Sequence, residues 1–285
     1  MPFPVTDIVY GCLAPALVAG AVVWALHRKS LGAAGSRFGA SAALAAGFFL
    51  GYRLLSLSPW MPEAHWQWLP YAVLLAAVVG PIVTAPRGSW PVRIGSCAIV
   101  AIAAAWFLVP TWENLEPSRL VYLIGWVVYV TSLTALLSPL TSRFPGPLLP
   151  VVLAATLLAG GMVLFLADIL RFAWIGVAGA GAMAGIATVA AFDKRTDAIA
   201  GVTLPFAVLL AGALLVGRLN SFSDVPWVSY LLVPLAPLLL WVGTRGRLST
   251  LTGARRAVVC AVLPGLPLAI ALLLAALGTR PITIS

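Results

Sequence analysis

The sequence predicts an all-α fold, a polytopic transmembrane helical bundle of about ten spans, on three observations. Hydrophobic residues fill 62% of the 285 positions and charged residues only 9%, whereas soluble domains carry about 25% charged residues. The apolar runs are continuous and roughly 20 residues long, the length at which a helix crosses ~30 Å of hydrocarbon. Basic residues also alternate between successive connections, as the positive-inside rule demands of a polytopic chain. Lipid offers no partner to a free backbone amide, so only helices or a closed barrel can span it. A barrel would show ~10-residue segments of alternating polarity, and none is present.

Spans are predicted near 5–26, 38–57, 69–86, 94–110, 119–138, 148–167, 170–192, 199–217, 228–243 and 257–278. The first opens at Asp7-Ile8 and closes at His27-Arg28-Lys29; the second closes near Arg53. The third follows an aromatic stretch and contains Pro81. The fourth begins after Arg93, and the fifth at Arg119, after a polar connection. The sixth carries Gly160-Gly161, and the seventh carries a run of small residues. The eighth ends at Arg218. The ninth is the shortest and carries Pro234 and Pro237. The tenth begins after Arg255-Arg256 and contains Pro264 and Pro267.

With these spans, one side receives Arg28, Lys29, Arg37, Arg87, Arg93, Arg143, Lys194, Arg195, Arg245, Arg247, Arg255 and Arg256. The other receives Arg119, Arg171, Arg218 and Arg280, with Arg53 at a span's end. The richer side is assigned to the cytoplasm, so both termini face out. Asp7, Glu63, Glu113, Glu116, Asp168 and Asp224 fall outside, and only Asp193 and Asp197 inside. The expected setting is the cytoplasmic (inner) membrane of a bacterium. The net charge of +9 belongs to this topology and to lipid head groups rather than to nucleic acid, because the arginines are dispersed over short loops.

MPFPVTD lacks the positive n-region of a signal peptide, and Val9-Tyr10-Gly11-Cys12 precedes the apolar run that a lipoprotein cleavage box should follow. The three cysteines, Cys12, Cys97 and Cys260, lie within apolar runs without a C-x-x-C pair or a histidine cluster. They are expected to be small buried hydrophobes, with no disulfide, metal or cofactor implied.

The two ends of the chain resemble each other. Asp7-Ile8 matches Asp168-Ile169, and the loop at 27–35 matches that at 193–201. R-L-L-S-L-S (53–58) matches R-L-N-S-F-S (218–223), each followed by Pro-Trp, at 59–60 and 226–227. R-I-G-S-C-A (93–98) matches R-A-V-V-C-A (256–261). Four matches in order predict a duplication. Residues 1–110 form the first four-helix repeat, 111–167 a two-helix insert, and 168–285 the second repeat. Six spans separate the copies, so the repeat is parallel, unlike the inverted repeats of many transporters.

The repeat marks Asp7 with Arg53 and Asp168 with Arg218 as candidate ion pairs pinning each hairpin at its outer end. An acid in a first helical turn also complements the helix dipole. A second role for the two arginines is to converge on an anion, which weighs less because arginines near an interface snorkel. Residues 58–71 (S-P-W-M-P-E-A-H-W-Q-W-L-P-Y) carry Trp60, Trp66, Trp68 and Tyr71, rings suited to head-group depth. Glu63 and His65 within it, and Glu113 and Glu116 in the next outer connection, are the polar candidates of that face. Two such residues do not fill a metal's coordination sphere, and a solvated loop is the stronger expectation. Gly181-x-x-x-Gly185 has the spacing of a helix-packing face.

No catalytic motif is present. The span centres are almost wholly Ala, Leu, Val and Gly, which favours a non-catalytic membrane component or subunit whose partners are the lipid bilayer and other membrane subunits. A transporter or channel for a small solute is the first alternative, resting on the parallel repeat and the prolines, but lacking a mid-depth carboxylate. An enzyme acting at the outer face on a lipid-linked substrate is the second, and nothing in the sequence gathers its acids and histidine.

Overall fold

The computed structural model describes residues 5–28, 32–85, 88–144, 146–192, 199, 201–221, 223–244 and 253–279, with the side chains of 27–28, 32–37 and 253–257 outside that description. Ten of the twelve basic residues assigned to the inner side therefore lie outside the described side chains: Arg28, Lys29, Arg37, Arg87, Lys194, Arg195, Arg245, Arg247, Arg255 and Arg256. Asp193, Asp197 and Arg280 lie there too, as does most of the loop match at 193–201.

Among the described residues every regular element is helical. In chain order, α1 (Val5–Ile8) runs through a π-helical turn (Val9–Leu13) into α2 (Ala14–Arg28), making one rod. Then come α3 (Gly32–Leu54), a 3-10 turn (His65–Trp68) leading into α4 (Leu69–Val83), α5 (Trp90–Leu108), α6 (Arg119–Arg143), α7 (Leu148–Leu166), α8 (Leu170–Phe192) and α9 (Thr203–Asn220). The ninth rod is broken into α10 (Trp227–Leu235), a 3-10 turn (Pro237–Leu239) and α11 (Leu240–Gly243), and α12 (Gly253–Gly278) ends the bundle. Eight of these helices are long and apolar enough to cross a membrane; Phe38–Leu54 and Trp227–Gly243 are shorter apolar stretches. The chain is thus a multi-pass helical membrane protein.

Several boundaries differ from the sequence expectation, for local reasons. The second helix stops at Leu54, because Ser56 takes a left-handed backbone (φ 50°). The eighth begins at Thr203 and continues to Asn220, carrying Arg218 inside its last turn. Asp168 does not lie in the first turn of α8. It occupies the tight turn between α7 and α8 with φ 61°, a conformation that Asp tolerates better than most residues.

Within lipid the apolar effect does not drive helices together, so close packing of small residues does. α8 shows this most clearly. A Cβ placed on Gly181 or Gly185 would collide with the backbone of Cys12 or Ala16, and one on Gly161 with that of α8 at Ala173 and Gly176. The Gly181-x-x-x-Gly185 face is therefore the seam between α8 and the first rod. Pairing 12 with 181 and 16 with 185 makes those two helices parallel. Gly80 meets the Gly201 carbonyl, while Leu69 meets Gly212, so α4 and α9 are antiparallel. α9 is the most enclosed helix, buried on nearly every side from Thr203 to Leu214.

The prolines in these helices have different consequences. Pro81 has no N–H to give the carbonyl four residues back. That carbonyl, on Ala77, instead accepts the Ser41 hydroxyl of α3 at 2.6 Å, in a fully buried contact. α4 runs on to Val83. Pro234 and Pro237 lie close together, and the ninth rod breaks between them.

Candidate functional site

The ends of α3, α5 and α9 and the starts of α4, α6, α8 and α10 meet in one layer, where the polar candidates lie. Its arginines stack on aromatic rings. The Arg53 guanidinium lies 3.8 Å from the Trp60 ring centroid, Arg119 4.8 Å from Trp106, Arg171 5.2 Å from Trp66, and Arg218 5.9 Å from Tyr230. Stacking of this kind is stronger where water is scarce. At the opposite face Arg143 repeats it, 4.3 Å from Trp241, while donating to the Thr244 hydroxyl.

The expected ion pairs do not form among the described residues. Arg53 donates to the Ser58 carbonyl at 2.8 Å instead of to Asp7. Asp168 is exposed in its turn, and Arg218 is exposed at the end of α9 with Tyr230 as its recorded neighbour. The reason is geometric. The residues after Arg53 fold back over it, through the left-handed turn at Ser56, and offer a carbonyl and a ring within reach.

The segment 58–71 is ordered by its own polar groups. The Gln67 side chain accepts the backbone N–H of Glu63 at 2.6 Å and of Ala64 at 3.1 Å, starting the 3-10 turn, and the Tyr71 hydroxyl donates to the Trp60 carbonyl at 2.5 Å. His65 contacts Asn220 of α9, ring nitrogen to side-chain amide at 3.2 Å, with Trp112 edge-on at 5.3 Å. It thus ties the start of the third rod to the end of the eighth. Glu63, Glu113 and Glu116 are exposed; the Glu116 carbonyl accepts the Tyr122 hydroxyl. Among the described residues no group of three His, Cys, Asp or Glu could hold a metal ion.

Beside this layer a cavity of about 330 Å³ opens between α6, α9 and α10. α6 lines it with Tyr122, Gly125, Trp126 and Tyr129, α9 with Leu214 and Arg218, and α10 with Trp227 and Tyr230. Val121, Trp227 and Leu231 in its wall are exposed, so it opens at the perimeter of the bundle. One buried polar group of the wall, Trp126 Nε1, has no hydrogen-bond partner among the described residues. Sequence reasoning marked Arg218 and missed the rest. The available signal was Tyr122, Trp126 and Tyr129, spaced by four and three, which puts three polar-tipped rings on one helical face. A second cavity of the same size, between α1, α7 and α8, is walled by apolar side chains and Cys12.

No protein-family model matches this chain, and no curated protein matches it.

Proposed function

We propose that the protein is a non-catalytic membrane component that works through its surface, packing against other membrane subunits. The carrying observation is the closed interior, where α8 meets the first rod and α7 backbone on backbone at Gly181, Gly185 and Gly161. Three interior hydroxyls are consumed locally, Ser41 on the Ala77 carbonyl, Thr156 on the Val152 carbonyl and Ser138 on the Thr134 carbonyl. The buried serine and threonine hydroxyls with no oxygen or nitrogen partner, those of Thr131, Thr134 and Ser229, are few among the described residues. Such an interior supplies no polar path for a solute. In this reading the chain crosses a bacterial cytoplasmic membrane ten times with both termini outside, and residues 1–110 and 168–285 are parallel copies flanking the insert 111–167. The parallel course of α8 and the first rod supports that arrangement.

A small-solute transporter is the second reading, favoured by the break at Pro234–Pro237 in the rod that lines the 330 Å³ cavity. Broken helices beside a cavity are a common setting for a transport site. Purification of the tagged protein in mild detergent, with mass spectrometry of what migrates with it at native size, separates the two. Stoichiometric membrane partners are expected. A lone monomer or homo-oligomer overturns the subunit reading, and stabilisation of that species by a small solute favours transport.

A further inference from the structure

We propose that the cavity between α6, α9 and α10 is a binding site for an anionic phospholipid, with the acyl chain in the cavity and the phosphate on Arg218. The site combines an apolar body with polar tips at one end. Leu214, Leu231 and the ring faces of Trp126 and Tyr129 supply a lining that an acyl chain fills. Arg218 lies where α9 ends, so a chain held in the cavity places its head group at the guanidinium.

The Tyr122 hydroxyl already donates to the Glu116 carbonyl, which leaves Arg218 and the Trp126 indole as the donors of the site that call for an acceptor. Arginine and the indole N–H only donate. Trp126 is 5% exposed, yet its Nε1 has no hydrogen-bond partner among the described residues. A buried donor left unpaired is costly, and the ester and phosphate oxygens of a phospholipid are acceptors. The charge follows from a contrast among the arginines. Arg53 and Arg119 donate to the carbonyls of Ser58 and Trp106, whereas Arg171 and Arg218 have no carbonyl or carboxylate partner among the described residues, and of these two only Arg218 lines the cavity. A zwitterionic head group would bring its own cation beside that guanidinium; an anionic one brings only the charge that Arg218 lacks.

Gly125 provides the test. It lines the cavity, and a Cβ built on it meets no atom within 4 Å. Gly125→Leu therefore starts a larger side chain in open space beside the cavity and improves helix propensity. The purified full-length protein is delipidated, its thermal unfolding is followed with added phosphatidylglycerol, phosphatidylcholine or oleate, and retained lipid is identified by native mass spectrometry. Phosphatidylglycerol is expected to raise the melting temperature more than the other two and to be retained at one per chain. Arg218→Ala should weaken that retention about tenfold, as loss of one charge-assisted contact implies, and Gly125→Leu should abolish it while melting no lower than wild type without lipid. Should Gly125→Leu fold poorly, Arg218→Ala alone decides. Equal stabilisation by phosphatidylcholine, retention unchanged in either variant, stabilisation by oleate alone, or a retained molecule that is not a phospholipid each overturns the proposal. None of these outcomes depends on whether membrane subunits co-purify.

Discussion

The C-terminal ends of α3 and α9 carry the same residues, Arg-Leu-x-Ser-x-Ser followed by Pro-Trp, and use them differently. After α3 the chain folds back on itself, and Arg53 is held by the Ser58 carbonyl and the Trp60 ring. After α9 the chain moves on to α10, and Arg218 is left exposed over a more distant ring at a cavity. The third and ninth rods differ in the same way. Pro81 is accommodated because Ser41 on α3 supplies the hydrogen bond that the proline removes, whereas Pro234 and Pro237 end α10. A motif thus fixes which groups are available, and the neighbouring helix decides whether they are consumed. Arg53 is consumed in this way, whereas Arg218 faces the cavity.

The largest expected effect breaks the seam between α8 and the first rod. Gly185→Val sets a branched side chain against the Ala16 backbone, where no flexible neighbour can give way. Overpacking typically costs 1–3 kcal/mol, and a backbone clash belongs at ~3 kcal/mol or above, read as loss of folded protein in a detergent melt. The same change at Gly125, where space is open, should leave the melt unlowered. If Gly185→Val melts like wild type, α8 does not meet the first rod as described.

Ser41→Ala tests the accommodated proline. Its expected cost is ~1 kcal/mol, the scale of an interhelical hydrogen bond in a membrane protein. Pro81→Ala restores an N–H for the Ala77 carbonyl, so in that background the cost should fall by more than half. Equal costs in both backgrounds would show that the Ser41 hydroxyl does not substitute for the missing amide.

Asp168→Val tests the turn that replaced an expected ion pair. A branched side chain at φ 61° should cost about 1–2 kcal/mol, while Asp168→Asn and Asp168→Gly should cost little. Were Asp168 paired with Arg218, Asn and Val would be similarly costly, and a thermal-melt series of the three separates the cases.

The helical rods were legible because a ~20-residue apolar run is a long, redundant signal. The seam at Gly181 and Gly185 was legible because small residues four apart leave a furrow whatever lies opposite. The membership of a given rod in one half, and the roles of Arg53 and Arg218, were not legible. An arginine's partner depends on the backbone path of the next few residues, and the left-handed turn at Ser56 has no composition signal. The cavity was hidden for a similar reason. Its walls come from 117–129, 211–218 and 227–231, and only the fold brings those stretches together. Trp126 and Tyr230 look in sequence like any interfacial aromatic.

The smallest effect separates the two arginines most directly. Arg53→Ala removes a hydrogen bond to the Ser58 carbonyl and a close ring contact, which together support a cost of about 1 kcal/mol. Arg218→Ala removes one distant ring contact, so the delipidated protein should melt as wild type does. Arg53→Lys should not recover the loss, since a compact ammonium gives up the planar stacking of the guanidinium. An Arg218→Ala variant as unstable without lipid as Arg53→Ala would mean that the two junctions are structurally equivalent. In that case the second arginine is a brace like the first, consumed by the fold and not held at the cavity for a ligand.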